Sequence, residues 1–224
     1  MTSISVSASR AADAMIRVYR NMALSVFTSM ITAYTVSHNQ LLTDFFLTGS
    51  MQFVILIIPL IMIFTFIPIL NNTKSYIAGH ILLQGFSAIM GLSLGSIFLH
   101  YQSADITSAF LGASVLFTTM AVYGTVTKKD LTSIGQFMYI GLIALIIGGV
   151  INLFIGSTVT DLVLSSIGII VFLGITAYDA QQIRESVRYG EPNAEIVGAL
   201  SMYLNFINLF MDLLRIFSAG SSRD

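Results

Sequence analysis

Residues 162–180 read LVLSSIGIIVFLGITAYDA, and residues 196–217 read IVGALSMYLNFINLFMDLLRIF. Each stretch is long and apolar enough to cross a bilayer, which takes about 20 residues of helix. Each nevertheless holds an acid, Asp179 in the first and Asp212 in the second. A carboxylate inside a membrane span is costly wherever it faces lipid, so it marks a functional position. The two stretches set the fold class, an all-α integral membrane protein, and locate the search for function.

The rest of the chain agrees. Of 224 residues, 55% are hydrophobic and 9% charged, against about a quarter charged in ordinary soluble domains. That length holds a single membrane domain. A net charge of -1 implies no nucleic-acid partner. The absence of cysteine removes disulfides, thiolate metal sites and cysteine nucleophiles together.

Five further windows reach bilayer length, residues 21–37, 51–70, 77–99, 106–126 and 134–155, which makes seven spans in all. Pro59 and Pro68 are expected to kink the second. Residues 1–20 lack the apolar core and cleavage site of a secretory signal and read as a cytoplasmic tail. Residues 21–217 form the transmembrane domain, and residues 218–224 a short C-terminal tail. Arg10, Arg17, Arg20, Lys74, Lys128, Lys129, Arg184 and Arg188 fall on one side, against Arg215 and Arg223 on the other. That asymmetry places the N-terminus in the cytoplasm and the C-terminus outside. Small residues at helical spacing, Ser87, Gly91 and Gly95 in the third span, Gly141, Gly148, Gly149 and Asn152 in the fifth, Gly168 and Gly174 in the sixth, supply packing surfaces.

In the seventh span Gly198, Ser201, Asn205, Asn208, Asp212 and Arg215 fall within a band of about 100° at helical periodicity. A polar stripe of that length is expected to turn away from lipid. Ser201, Asn208, Asp212 and Arg215 are therefore pore-lining candidates. Antiparallel pairing of spans six and seven sets Asp179 opposite Asn205, provided span six continues past residue 180 toward Arg188. Asp212 lies about 10 Å further along the helix, where Arg215, one turn on, is its natural partner.

Several seven-helix functions fail on inventory. The three lysines all lie in loops, so no retinal Schiff base forms in the last span. A zinc hydrolase needs convergent ligands, but His38, His80 and His100 sit at span ends, with His80 and His100 about 30 Å apart along one helix. No histidine in spans four to seven serves a serine nucleophile. Neither an enzyme nor a resident cofactor is expected.

GITAYDA (residues 174–180), YLNFINLF (203–210) and LLRIF (213–217) together resemble the signature of the Bax-inhibitor family, the transmembrane BAX inhibitor motif proteins, and the bacterial branch above all. TVTKKDL (125–131) and GLSLGSIF (91–98) resemble that family's loop between helices four and five and its third helix. The resemblance implies six helices around a central seventh, acting in the bacterial inner membrane as a pH-sensitive calcium leak. It also implies an aspartate pair on helices six and seven that shares a proton, because two adjacent carboxylates resist ionising together. Here the motif's aspartate is Asn205, so Asp179 alone remains ionisable at the gate. An amide matches a protonated carboxyl in size and hydrogen bonding but carries no titrating proton. The expected gate is Asp179 with Asn205, Asp179 is a weak calcium ligand, and the pH response is blunted. The alternative is a non-conducting membrane protein that binds or modulates a membrane protease or another membrane complex, with residues 1–20 as its handle.

Overall fold

The computed structural model describes residues 2–73 and 75–221; Lys74, Arg223 and the rest of residues 222–224 lie outside the described residues. Within these, the chain is helical throughout and contains no strand. The helices are α1 (Thr2–Ser37), α2 (Gln40–Phe46), α3 (Met51–Thr73), α4 (Tyr76–Leu94), α5 (Ile97–His100), α6 (Ser103–Val126), α7 (Thr132–Ile155), α8 (Thr158–Tyr189) and α9 (Ala194–Ser221).

Five stretches among the described residues are long and apolar enough to cross a membrane: Tyr76–His100, Ser103–Val126, Thr132–Ile155, Thr158–Tyr189 and Ala194–Ser221. A sixth arises if Gln40–Phe46 and Met51–Pro59, bent by 79°, count as one span. The sequence led to seven. The first window falls short because Ser25, Thr28, Ser29, Thr32 and Thr35 dilute its apolar residues. The second lies within the continuous helix α3, with Pro59 and Pro68 inside it; its apolar residues count as Met51–Pro59 and the shorter piece Ile61–Asn72, since proline removes a backbone donor and crowds the preceding turn. Residues 2–20, read from sequence as a tail, are the first turns of α1.

The helix carrying Asp179 is longer than its apolar window. It runs to Tyr189, which meets the condition for pairing Asp179 with Asn205, and the chain turns into α9 through Gly190 (φ 70°) and Asn193 (φ 61°), both in the left-handed conformation. The α7–α8 turn is held differently. Gly156 ends α7 at φ 68°, and its N–H donates to the Asn152 carbonyl. The Asn152 side chain donates to Ser157 O (3.1 Å) and Asp161 Oδ1 (2.5 Å) and accepts from Ser157 N (3.2 Å). Asn152, read as a packing residue, is a cap. Asn152→Leu strands these groups and should lower stability by about 1–3 kcal/mol, seen as a reduced melting temperature in detergent.

The chain divides into two compact units, Met1–Tyr101 with Ser186–Tyr203, and Gln102–Glu185 with Leu204–Asp224. In the first, α1 and α4 pack along most of their length. Gly91 admits the Ser29 backbone, and Gly79 faces Leu70 and Ile196. Arg17 grips Glu195 through two hydrogen bonds, Nε–Oε2 at 2.7 Å and Nη2–Oε1 at 2.6 Å. This pairing raises the Arg17 pKa above its ordinary value.

In the second unit α7 and α8 run antiparallel, matching Gly135 with Tyr178, Met138 with Gly174, Gly141 with Val171 and Gly148 with Leu164. Lipid gives helices no hydrophobic reason to associate, so such close approach supplies the attraction. Gly149, grouped with these in the sequence, faces open space. Helix α9 pairs antiparallel with α6 through Phe206 against Phe110 and Phe117, and through Phe210 against Phe110.

Candidate functional site

Asp179 stands inside α8 and is 6% exposed, as is Asn205 on α9. The Asn205 amide donates from Nδ2 to Asp179 Oδ2 at 2.8 Å. A carboxylate only accepts, so the amide must present its nitrogen. The second carboxylate oxygen, Oδ1, accepts from the Tyr139 hydroxyl of α7 at 3.0 Å. Three helices of one unit thus converge on a single acid. Hydrogen bonds to a charged acceptor are short and about twice as strong as neutral ones, and these hold both oxygens of the group.

Local packing fixes the geometry. Gly135 leaves room for the Tyr178 ring, which meets the Tyr139 ring edge-to-face at 6.1 Å. That places Tyr139, one turn after Gly135, beside Asp179. On α6, Gly124 lies directly on the backbone of Ala177, two residues before the acid. Beyond Asp179 the polar extension of α8 ties down the α6–α7 turn. Gln181 accepts from Leu131 N (2.9 Å) and donates to Lys129 O (2.8 Å). Arg184 donates to Thr125 O at 2.6 Å, capping the end of α6. In the same turn Thr132 donates to the exposed Asp130, holding its carboxyl below the ordinary value.

The remaining sequence candidates part company. Asp212 is 7% exposed. Its Oδ1 accepts from Arg215 Nη1 at 3.2 Å, and the missing side chain of Gly168 provides the space for its other oxygen. Gly168, read as packing alone, accommodates a charge. Asn208 and Arg215 are exposed and Ser201 is half-buried, so the stripe on α9 does not face inward as one surface. Asn208 escapes the expected burial because its amide donates to the Leu204 carbonyl of its own helix at 2.8 Å. Arg215 reaches back to Asp212 while its head stays at the surface, as long cationic side chains do near helix ends. Among the described residues no three His, Cys, Asp or Glu side chains come together.

Tyr139 was not read from the sequence. Its signal was a lone phenol between Phe137, Met138 and Ile140 in an otherwise apolar span, where a hydroxyl in lipid demands a partner. The register of α7 on α8 was needed to name that partner.

Helix α9 is the most enclosed candidate span, with 72% of its window buried against 33% or less in the other four. It carries the residue that faces Asp179. The family described as inhibitor of apoptosis-promoting Bax1 matches residues 11–223. The inner membrane protein YbhL of Escherichia coli K12 is 31% identical over 210 residues, covering 91% of this chain and 90% of that one. A Deinococcus radiodurans protein is 33% identical over 215 residues, 94% of this chain and 90% of its own. The protein YrjE of Lactococcus lactis is 36% identical over 186 residues, 79% and 77% of the two chains. A match running nearly the whole length of the chain gives one conclusion: this protein belongs to the Bax-inhibitor family of membrane proteins.

Proposed function

We propose that the protein is a calcium-permeable leak rather than an enzyme, with Asp179 and Asn205 as its gate. In this reading six helices surround α9 in a bacterial inner membrane, with the N-terminus in the cytoplasm. The observation that carries it is the buried 2.8 Å contact between Asn205 Nδ2 and Asp179 Oδ2. Donors occupy both carboxylate oxygens, and in this reading that arrangement is the closed one. A hard cation needs several oxygens at once. It passes only when the Asn205 amide turns its oxygen toward the path and the Tyr139 hydroxyl releases Oδ1. Asp179 then serves as a transient stop rather than a resident calcium site.

The test is calcium efflux from liposomes containing the purified protein. Asp179→Asn removes the charge while keeping the shape, and flux should fall to the level of empty liposomes. Unchanged flux in that variant, with its fold intact by circular dichroism, refutes the gate. Tyr139→Phe frees one carboxylate oxygen and should raise flux at every pH.

A second reading rests on the first turns of α1, where Arg10, Asp13 and Arg20 are exposed and Ile16 is 63% exposed. Such a face suits a non-conducting role in which the chain binds a membrane protease or another membrane complex. Deleting residues 2–12 separates the two: flux survives and the cellular phenotype is lost only if partner binding is the function.

A further inference from the structure

Helices α1 and α4 run parallel along a seam of polar side chains that the proposed gate does not use. Gln84 Nε2 donates to Ser25 Oγ (3.3 Å), and Thr28 Oγ1 donates to Gln84 Oε1 (2.6 Å). Ser29 Oγ lies 2.7 Å from the Ser87 carbonyl and 2.6 Å from the Tyr203 hydroxyl of α9. At the head of the seam Asn21 Nδ2 donates to Tyr76 Oη at 3.1 Å. Two atoms there are buried and have no hydrogen-bond partner among the described residues, Asn21 Oδ1 and His80 Nδ1.

Register puts these two atoms at one level. Ser25 and Gln84 face each other at a sequence separation of 59, and Asn21 and His80, each one turn earlier on its helix, share that separation. Tyr76 adds its hydroxyl from one turn before His80 on the same helix. Asn21 is 1% exposed, so bulk solvent does not reach its amide. A buried acceptor left unsatisfied costs about 1–3 kcal/mol, and native proteins meet that demand with internal water making about three hydrogen bonds.

We infer that a water molecule is bound between α1 and α4, held by Asn21 Oδ1, His80 Nδ1 and Tyr76 Oη. The water donates to the Asn21 carbonyl oxygen and to His80 Nδ1, with the imidazole proton on Nε2, and accepts the Tyr76 hydroxyl proton. Those three bonds satisfy all three groups. A metal cation is the poorer guest, because a hard ion takes six or more oxygens and Glu195, which lines a cavity with Tyr76, is already gripped by Arg17. The α1–α4 seam is thus hydrated from its head, independently of Asp179.

Water-edited solid-state NMR of the full chain in lipid nanodiscs tests this. Polarisation from water should reach the Asn21 side chain as fast as it reaches the exposed Tyr76 ring, while Leu83, fully buried on the same helix, receives it only slowly. His80→Leu should abolish the fast transfer to Asn21 and leave the build-up at Leu83 unchanged. Transfer to Asn21 as slow as to Leu83 in the unsubstituted protein overturns the proposal. So does fast transfer that persists in His80→Leu, or a contact from labelled ammonium to Asn21 in place of one from water.

Discussion

On the proposed function, Asn205→Asp should give a leak whose flux changes steeply across neutral pH, where the unsubstituted protein's response is flat. The substitution alters one atom of the amide, at a position where Asn205 lies 2.8 Å from the Asp179 carboxylate. Two carboxylates at that distance hold one proton between them, since ionising both leaves adjacent negative charges in a poorly solvated place. As pH rises the shared proton leaves, the pair repels, and charge and oxygen ligands are added together at the gate. A single titrating proton changes the open population by at most about tenfold per pH unit. Calcium flux in liposomes should therefore climb by up to that factor where the unsubstituted protein shows little change. Superimposable pH profiles for the two proteins would sink the paired-gate reading.

The largest effect on folding is expected at Gly124, a residue with no side chain of its own. A Cβ placed there meets the carbonyl oxygen, carbonyl carbon and Cα of Ala177, all of them backbone atoms. A flexible side chain rotates out of such a clash, whereas backbone in a packed helix does not. Gly124→Ala should cost about 1–3 kcal/mol, the range for overpacking a close contact. Gly124→Val, with two more carbons, should leave little folded protein on size-exclusion chromatography. The same contact positions Asp179, two residues beyond Ala177, so folded Gly124→Ala protein should also show altered flux. Gly149→Ala is the control: nothing lies within 4 Å of that Cβ, and helix propensity favours alanine over glycine. An equal loss of stability in both variants would argue against close α6–α8 packing as the cause.

Parts of the candidate site were legible because membrane helices leave little freedom. An acid in an apolar stretch stands out, and antiparallel pairing of two consecutive spans fixes which residues meet. Asp179 and Asn205 were matched in this way, and so were Asp212 and Arg215, whose one-turn spacing on α9 is a local property of any helix. Asn208 could not be placed by the same logic. Periodicity assigns a side chain to a face but not to a partner, and an amide that satisfies itself on its own helix carries no obligation to face inward. Apolarity alone left open whether α8 ran past residue 180, because apolarity stops at the membrane boundary while hydrogen bonding does not; the helix continues to Tyr189.

Composition and pattern determined that this is a helical membrane protein and that the helices now labelled α8 and α9 carry the acids Asp179 and Asp212, while Asp105, buried on α6, was not foreseen. Those properties follow from the cost of charge in lipid and from the 3.6-residue period, and both are written along the chain. Tertiary structure alone decided that Tyr139 donates to Asp179, that Gly168 makes room for Asp212, and that Asn21 and His80 share one level between α1 and α4. Each of these depends on how far one helix slides along another. That register is set by where glycines let backbones touch, a sum over many weak contacts between segments distant in sequence.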